Sequence, residues 1–187
     1  MPPSISSSYK IIDACAGAGG KSLAMADAVQ GKARVFSYDI SERKLQALKK
    51  RAQRSDLRNI QTRAVTEGEE ESELRAFFET ADRVLVDAPC SGWGVLRRNP
   101  DMKWRQSADY LKRVPDLQLR LLNAYSKLVK PGGFLTYGLC TFRTAETEEV
   151  VEKFSAQNPQ FKKGRGGYLG PDYCDGFFMQ NWVKEKK

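Results

Sequence analysis

Two short cysteine-bearing segments stand out in the chain, Asp87-Ala-Pro-Cys90-Ser-Gly92 and Tyr137-Gly-Leu-Cys140-Thr141. Each cysteine lies just past a run that reads as a buried strand, residues 83–87 and 133–137. In open α/β sheets, ligands and reactive groups gather beyond the carboxyl ends of strands. The chain contains no histidine, which leaves sulfur to do nucleophilic and proton-transfer work. Covalent catalysis is the chemistry such a pair points to. A lone cysteine at a strand end is most often an inert small hydrophobe. That reading holds for Cys174, which has no comparable context.

A second segment, Asp13-Ala-Cys-Ala-Gly17-Ala-Gly19-Gly20-Lys21-Ser22, joins an apolar run to an amphipathic one. Small residues let a backbone approach a ligand, and the following helix start offers free N–H groups. Asp39 follows Gly17 by 22 residues, at the end of the next expected strand. A carboxylate there can accept both hydroxyls of a ribose. A nucleotide-hydrolase loop fails by one position, because Cys15 stands where its first glycine belongs. A dinucleotide turn fails at its third glycine, which is Ser22. S-adenosylmethionine, which has no phosphates to cradle, fits better than either, although a merely structural tight turn remains open from this segment alone.

Net charge is +8 over 187 residues, which favours a polyanionic partner. Arg97, Arg98, Lys103, Trp104 and Arg105 cluster after the first cysteine segment and mix cations with an aromatic able to stack on a base. The acidic run 67–73 reads as a solvated helix start. None of Cys15, Cys90, Cys140 and Cys174 forms a Cys-x-x-Cys pair, so no metal is expected. No membrane-length apolar run and no signal peptide is visible, and a cytoplasmic protein is expected.

These groups need a scaffold, and apolar and amphipathic stretches alternate to supply one. Strands are expected over 10–12, 33–38, 59–65, 83–87 and 133–137. Helices are expected from Leu23 to near Gly31, after the N-cap Ser41, over 74–78, over 110–129 with a kink near Pro115, and over 145–157. Lys130-Pro-Gly-Gly133 reads as the turn into the fifth strand, and 176–183 as a closing hairpin. The alternation argues for a parallel α/β sheet covered on both faces.

Residues 13–21, Asp39, the Cys90 string, Arg97-Arg-Asn-Pro-Asp-Met-Lys-Trp104 and residues 137–148 occur in one order. Together they resemble the Sun/NSUN-type S-adenosylmethionine-dependent RNA (cytosine-5) methyltransferases, over roughly residues 10 to 183 and including Asp175-Gly-Phe-Phe178. The resemblance implies a Rossmann-like class I methyltransferase fold: a seven-stranded, mostly parallel sheet with helices on both faces and an antiparallel closing strand. Residues 1–9 would be a linker and 10–187 the catalytic domain, most simply a monomer. It further implies methyl transfer to carbon 5 of cytosine in RNA, ribosomal RNA before transfer RNA. Cys140 would be the nucleophile, Cys90 would assist proton removal and release, Asp87 would hold the base, and Lys21 would help keep Cys140 ionised. Cys15, Ala16, Gly17, Ala18, Gly19, Gly20, Lys21, Asp39 and Asp87 would bind the cofactor, and Arg97, Arg98, Lys103 and Trp104 the RNA.

The chain also departs from that pattern. Gly17, Ala18 and Ser22 replace other small residues and should preserve cofactor binding. Val65-Thr66 stands where the family places an adenine-site aspartate, and Leu139 removes a hydroxyl beside the nucleophile. Only about nine residues precede the first strand, whereas family members carry an RNA-binding portion there. The alternative is therefore a catalytically impaired module that binds RNA or S-adenosylmethionine.

Overall fold

Hydrophobic alternation and glycine punctuation build a single sheet in the computed structural model, which describes residues 8–170 and 175–186. Its strands are β1 (Tyr9–Asp13), β2 (Ala33–Asp39), β3 (Ile60–Ala64), β4 (Ala81–Asp87), β5 (Val129–Leu139), β6 (Phe161–Leu169) and β7 (Phe177–Lys184). Its helices are α1 (Gly20–Ala28), α2 (Glu42–Arg54), α3 (Glu70–Glu73), α4 (Met102–Arg105), α5 (Ala108–Ser126) and α6 (Glu148–Gln157). The strand order is β3-β2-β1-β4-β5-β7-β6. β1 to β5 pair in parallel, and β7 runs antiparallel to both of its neighbours. The sequence-expected seven-stranded, mostly parallel sheet is what forms. Among the described residues no helix is long and apolar enough to cross a membrane.

β1 and β4 are adjacent, yet the chain leaves β1 toward β2 and leaves β4 toward β5. That reversal opens a crevice beyond their carboxyl ends. Asp13, Asp39 and Asp87 are the last residues of β1, β2 and β4, and Cys140 follows β5 directly. The main core lies between the sheet and the α5–α6 layer, where Val84, Val86, Leu122, Tyr125, Leu135 and Phe154 are buried. α2 packs by Leu45, Leu48 and Ala52, the three positions its helical spacing marks, and Ser41 caps it by accepting from Lys44 N.

Several local expectations are corrected. Lys130-Pro-Gly-Gly133 is part of β5 rather than a turn before it, and the register with β4 shifts there. A Cβ on Gly133 would stand within about 3.0 Å of three backbone carbonyl oxygens, so only glycine lets the bulged strand stay paired. The helix expected over 110–129 accordingly ends at Ser126 and continues unbroken through Pro115. Residues 74–78 form a single 3₁₀ turn over Arg75–Phe77, with the α-helix lying earlier, in the acidic run. That run is not uniformly solvated: Glu70 is buried against Arg120 Nη1 at 2.7 Å, because α5 brings a cation over it. The last helix starts at Glu148, three residues late, because Glu146 is drawn inward. The closing element is not a hairpin within 176–183 but β7 paired with β6, whose glycine-rich, exposed composition hides it. Cys174 and most of the expected linker 1–9 lie outside the described residues.

β7 is held by Trp182, fully buried, with its ring centroid 5.0 Å from that of Phe154 and its Nε1 donating to Ser155 Oγ at 3.0 Å. Trp182→Ala removes that packing and leaves Ser155 without its donor, so urea titration should show a loss of about 3–5 kcal/mol. A loss under about 1 kcal/mol would mean that β7 does not share the main core.

Candidate active site

The glycine turn takes its shape from two constraints. Gly19, which precedes α1, has φ +88, and a Cβ there would lie 2.4 Å from Leu48 Cγ. Asp39 then ties the turn to β2: Gly17 N donates to Oδ2 and Ser41 N to Oδ1, both at 2.8 Å. Each carboxylate oxygen keeps a lone pair free, as ribose hydroxyls would need. Ala16 and Gly20 complete the backbone bend, and Ala18 O accepts from Arg51 Nη1 at 2.7 Å.

A cavity of about 130 Å³ opens beside this turn, lined among others by Ala14, Cys15, Asp39, Ile40, Leu117 and Leu121. Its walls combine a carboxylate with aliphatic surfaces able to sandwich a planar base. Of the cofactor residues inferred from sequence, Cys15 and Asp39 line it, whereas Lys21 and Asp87 stand on the side of the thiols. Burial, with Asp13 and Asp39 nearby, pushes the Cys15 thiol up, so its sulfur is an inert wall at neutral pH. The expected adenine-site aspartate is absent at Val65-Thr66, but Glu67 and Glu70 line the same cavity.

Asp13 is buried, accepts from Ser22 Oγ at 2.6 Å, and Ser22 Oγ in turn accepts from Ser37 Oγ at 2.9 Å. Its second oxygen, Oδ1, has no hydrogen-bond partner among the described residues. Burial first, then Ser22 in the opposite sense and the neighbouring Asp87, leave its carboxyl raised from 3.8 to about 6. Asp13 is not among the residues lining the cavity, whereas Asp39 and Glu67 are, and their carboxylates suit a ligand that carries positive charge. The residues present therefore fit a cationic, ribose-bearing nucleoside.

The two thiols meet across the crevice. Cys90 Sγ and Cys140 Sγ are 3.3 Å apart, and both residues are half-buried. The hydrogen bond from Cys90 lowers the Cys140 thiol to about 7, against the opposing pull of burial and of the Asp87 charge. The same contact, then burial, holds Cys90 protonated. Lys21 Nζ stands 2.6 Å from Asp87 Oδ2, with both side chains partly exposed, and favours the Cys140 thiolate only as a lesser influence than Cys90. Leu139 is fully buried in the core, so the hydrogen bond to the Cys140 sulfur comes from Cys90 instead of a flanking hydroxyl. Gly94 N donates to Cys140 O at 2.9 Å, and Gly176 N to Gly94 O at 3.0 Å. Gly94 has no room for a Cβ, which would fall 1.8 Å from Gly176 O.

The basic loop lies beyond Cys90, partly in α4. Trp104 is 81% exposed with Lys103 Nζ 5.0 Å from its ring centroid, Arg97 is exposed, and Arg98 is tied to Asp175 at 2.8 Å. Sequence reasoning passed over Trp93 and Phe142, whose rings lie 6.0 Å apart with Phe142 half exposed. It also gave no role to Glu146. Their only signal was position: each follows a cysteine by two to six residues.

Comparison with known proteins places these features in a family. A family model described as 16S rRNA methyltransferase RsmB/F matches residues 4–169. A probable ribosomal RNA small subunit methyltransferase B of Bacillus subtilis (strain 168) is 40% identical over 81% of this chain and 34% of its own length. Ribosomal RNA small subunit methyltransferase B of Thermus thermophilus is 34% identical over 90% of this chain and 43% of its own. The chain thus spans well under half the length of these curated relatives. Among solved structures, NSun6 from Pyrococcus horikoshii with SFG superposes with a TM-score of 0.81 at 22% identity, covering 95% of this chain and 48% of the other.

Two titrations follow from the site. Cys140 should be alkylated by iodoacetamide with a midpoint near pH 7, and Cys90→Ala should move that midpoint up; an unmoved midpoint would remove Cys90 as the stabilising donor. Asp13 binds its proton more tightly folded than unfolded, so its contribution is present below pH 3.8 and is lost as pH rises through about 6. Between these limits stability should fall by about 3 kcal/mol relative to Asp13→Asn in urea melts, and equal slopes for the two proteins would contradict the assignment.

Proposed function

We infer the reaction from one premise: the chain belongs to the 16S rRNA methyltransferase RsmB/F family. It is the S-adenosylmethionine-dependent catalytic domain, and it methylates carbon 5 of a cytosine in ribosomal RNA through a covalent adduct with Cys140. The observation that carries this reading is the pair of sulfurs 3.3 Å apart beside Asp87 and Lys21, with the contact between them favouring the Cys140 thiolate. One thiol is thereby ready to attack while its neighbour keeps the proton.

Asp39 and the glycine turn would hold the ribose of S-adenosylmethionine, and Ile40, Leu117 and Leu121 its adenine. When bound, it supplies an electrophilic methyl group on a sulfonium. Cytosine carbon 5 is a weak nucleophile, and the protein's task is to raise its electron density. The target base must leave its stack to be reached from its face. Asp87 accepts from the exocyclic amino group and orients the ring, while Lys21 keeps Asp87 in place. Cys140 Sγ forms a bond to carbon 6 as the electron pair of the carbon 5–carbon 6 double bond moves onto carbon 5, conjugated through carbon 4 to N3. Carbon 5 is then enamine-like and would bond the methyl as the sulfonium's sulfur–methyl bond breaks, leaving a neutral thioether.

Bond formation removes the negative charge from Cys140, and with it the first cause of the raised Cys90 thiol. Cys90 can then give its own proton to solvent and, as a thiolate, accept the one on carbon 5 after methylation. The electrons of that carbon–hydrogen bond restore the double bond, and the sulfur–carbon 6 bond breaks to return the Cys140 thiolate. The basic loop with Arg97, Arg98, Lys103 and the exposed Trp104 contacts the RNA backbone and an unstacked base.

The test is tritium transfer from labelled S-adenosylmethionine to small-subunit ribosomal RNA, with sequencing of the modified base. Cys140→Ala should lose transfer and adduct together, by at least about a thousandfold in rate. Cys90→Ala should accumulate a protein–RNA adduct that survives denaturing electrophoresis. Robust transfer by Cys140→Ala would sink the nucleophile assignment. Cofactor binding by calorimetry with no transfer by the unaltered chain would favour the binding-only module.

A further inference from the structure

Glu146 is fully buried and is not among the residues lining the cavity. Its carboxylate gathers donors from three separate elements. Oε2 accepts from Ser91 N at 2.8 Å and from Gln118 Nε2 at 3.0 Å, and Oε1 accepts from Arg143 Nη1 at 3.0 Å. Ser91 is the residue after Cys90, and Arg143 is three residues after Cys140. Gln118 comes from α5 and reaches Pro89 O at 2.8 Å with the same nitrogen.

The rest of the arrangement is built around the same carboxylate. Pro115 has no N–H to offer, so Leu111 O within α5 is left open, and Arg143 Nη1 donates to it at 3.2 Å. Ser91 Oγ and Thr141 Oγ1 are 2.7 Å apart, a direct link between the residues that follow the two cysteines. Tyr137 OH donates to Glu146 O at 2.8 Å and ties the clasp back to β5. A buried charge is costly unless its lone pairs are filled, and here three donors fill them. Such a group tolerates only one arrangement of its partners.

We propose that Glu146 is a positioning residue: together with the Ser91–Thr141 link it clasps the Cys90 and Cys140 segments and sets the spacing between their sulfurs. The consequence for turnover rests on the covalent reading above, but the clasp itself is testable without RNA or cofactor. The titratable groups near the two sulfurs include Asp87 from β4, Lys21 from α1, Tyr137 from β5 and Tyr110 from α5, whose OH donates to Cys90 O. Glu146 can therefore reach Cys140 in two ways of opposite sign. Removing a nearby negative charge favours the thiolate, whereas loosening the clasp withdraws the Cys90 hydrogen bond and disfavours it.

The experiment is the pH profile of Cys140 alkylation by iodoacetamide, read by peptide mass spectrometry in the full chain, with thermal unfolding measured alongside. Glu146→Gln keeps the shape but turns at least one accepted hydrogen bond into a donor–donor clash. Thr141→Val removes the hydroxyl link and changes no charge. Both should raise the midpoint by about one pH unit and slow alkylation at pH 7 several-fold. Thr141→Val decides the matter if Glu146→Gln does not fold. A midpoint that stays put or falls in a folded variant would overturn the proposal and leave Glu146 as a structural charge. The outcome is independent of whether ribosomal RNA is methylated, so the two readings fail separately.

Discussion

Two thiols 3.3 Å apart cannot both ionise, and much of the molecule serves that one constraint. For one of the pair to ionise near neutrality a donor must stand close by, and no histidine is present to provide one. The fold answers by ending two neighbouring parallel strands with cysteine-bearing loops. β4 and β5 are paired in register as far as Asp87 and Gly138, so whatever follows them emerges on one side of the sheet. Gly138 has no side chain, and Asp87 Oδ1 lies 3.8 Å from where its Cβ would be. Proximity of the thiols is thus inherited from strand pairing and refined by the loops.

The same crevice concentrates negative charge. Asp13, Asp39 and Asp87 end three adjacent strands, and Lys21 is the cation that pairs with Asp87. Asp39 spends its charge on two backbone N–H groups, Asp87 on Lys21, and Asp13 relieves its own by taking up a proton more readily. Three carboxylates against one lysine leave this crevice locally acidic, in contrast to the positive charge of the chain as a whole.

How much of this could be read from the chain depends on the range of the interaction. The Asp87-Ala-Pro-Cys90 string, Cys140 and the Gly17–Gly19 turn are local, and their types and spacing point to their chemistry directly. β6 escaped because a strand of exposed lysine, arginine and glycine has no alternation to betray it, and only its partner β7 makes it a strand. The acidic run is a largely solvated helix start as expected, except at Glu70, whose burying cation sits fifty positions away on α5. Glu146 was invisible for the same reason: its donors Ser91 and Gln118 are 55 and 28 positions distant.

By itself, then, the amino-acid sequence determined the alternating α/β plan, the family and the identities of the groups that could react, because these reside in residue type and short spacing. Only the tertiary structure decided that the two sulfurs meet and that the segments carrying them share a single buried carboxylate. Those properties depend on distances of about 3 Å between residues far apart in the chain. Hydrogen bonds and desolvation act at that range, and no spacing along a sequence reports it.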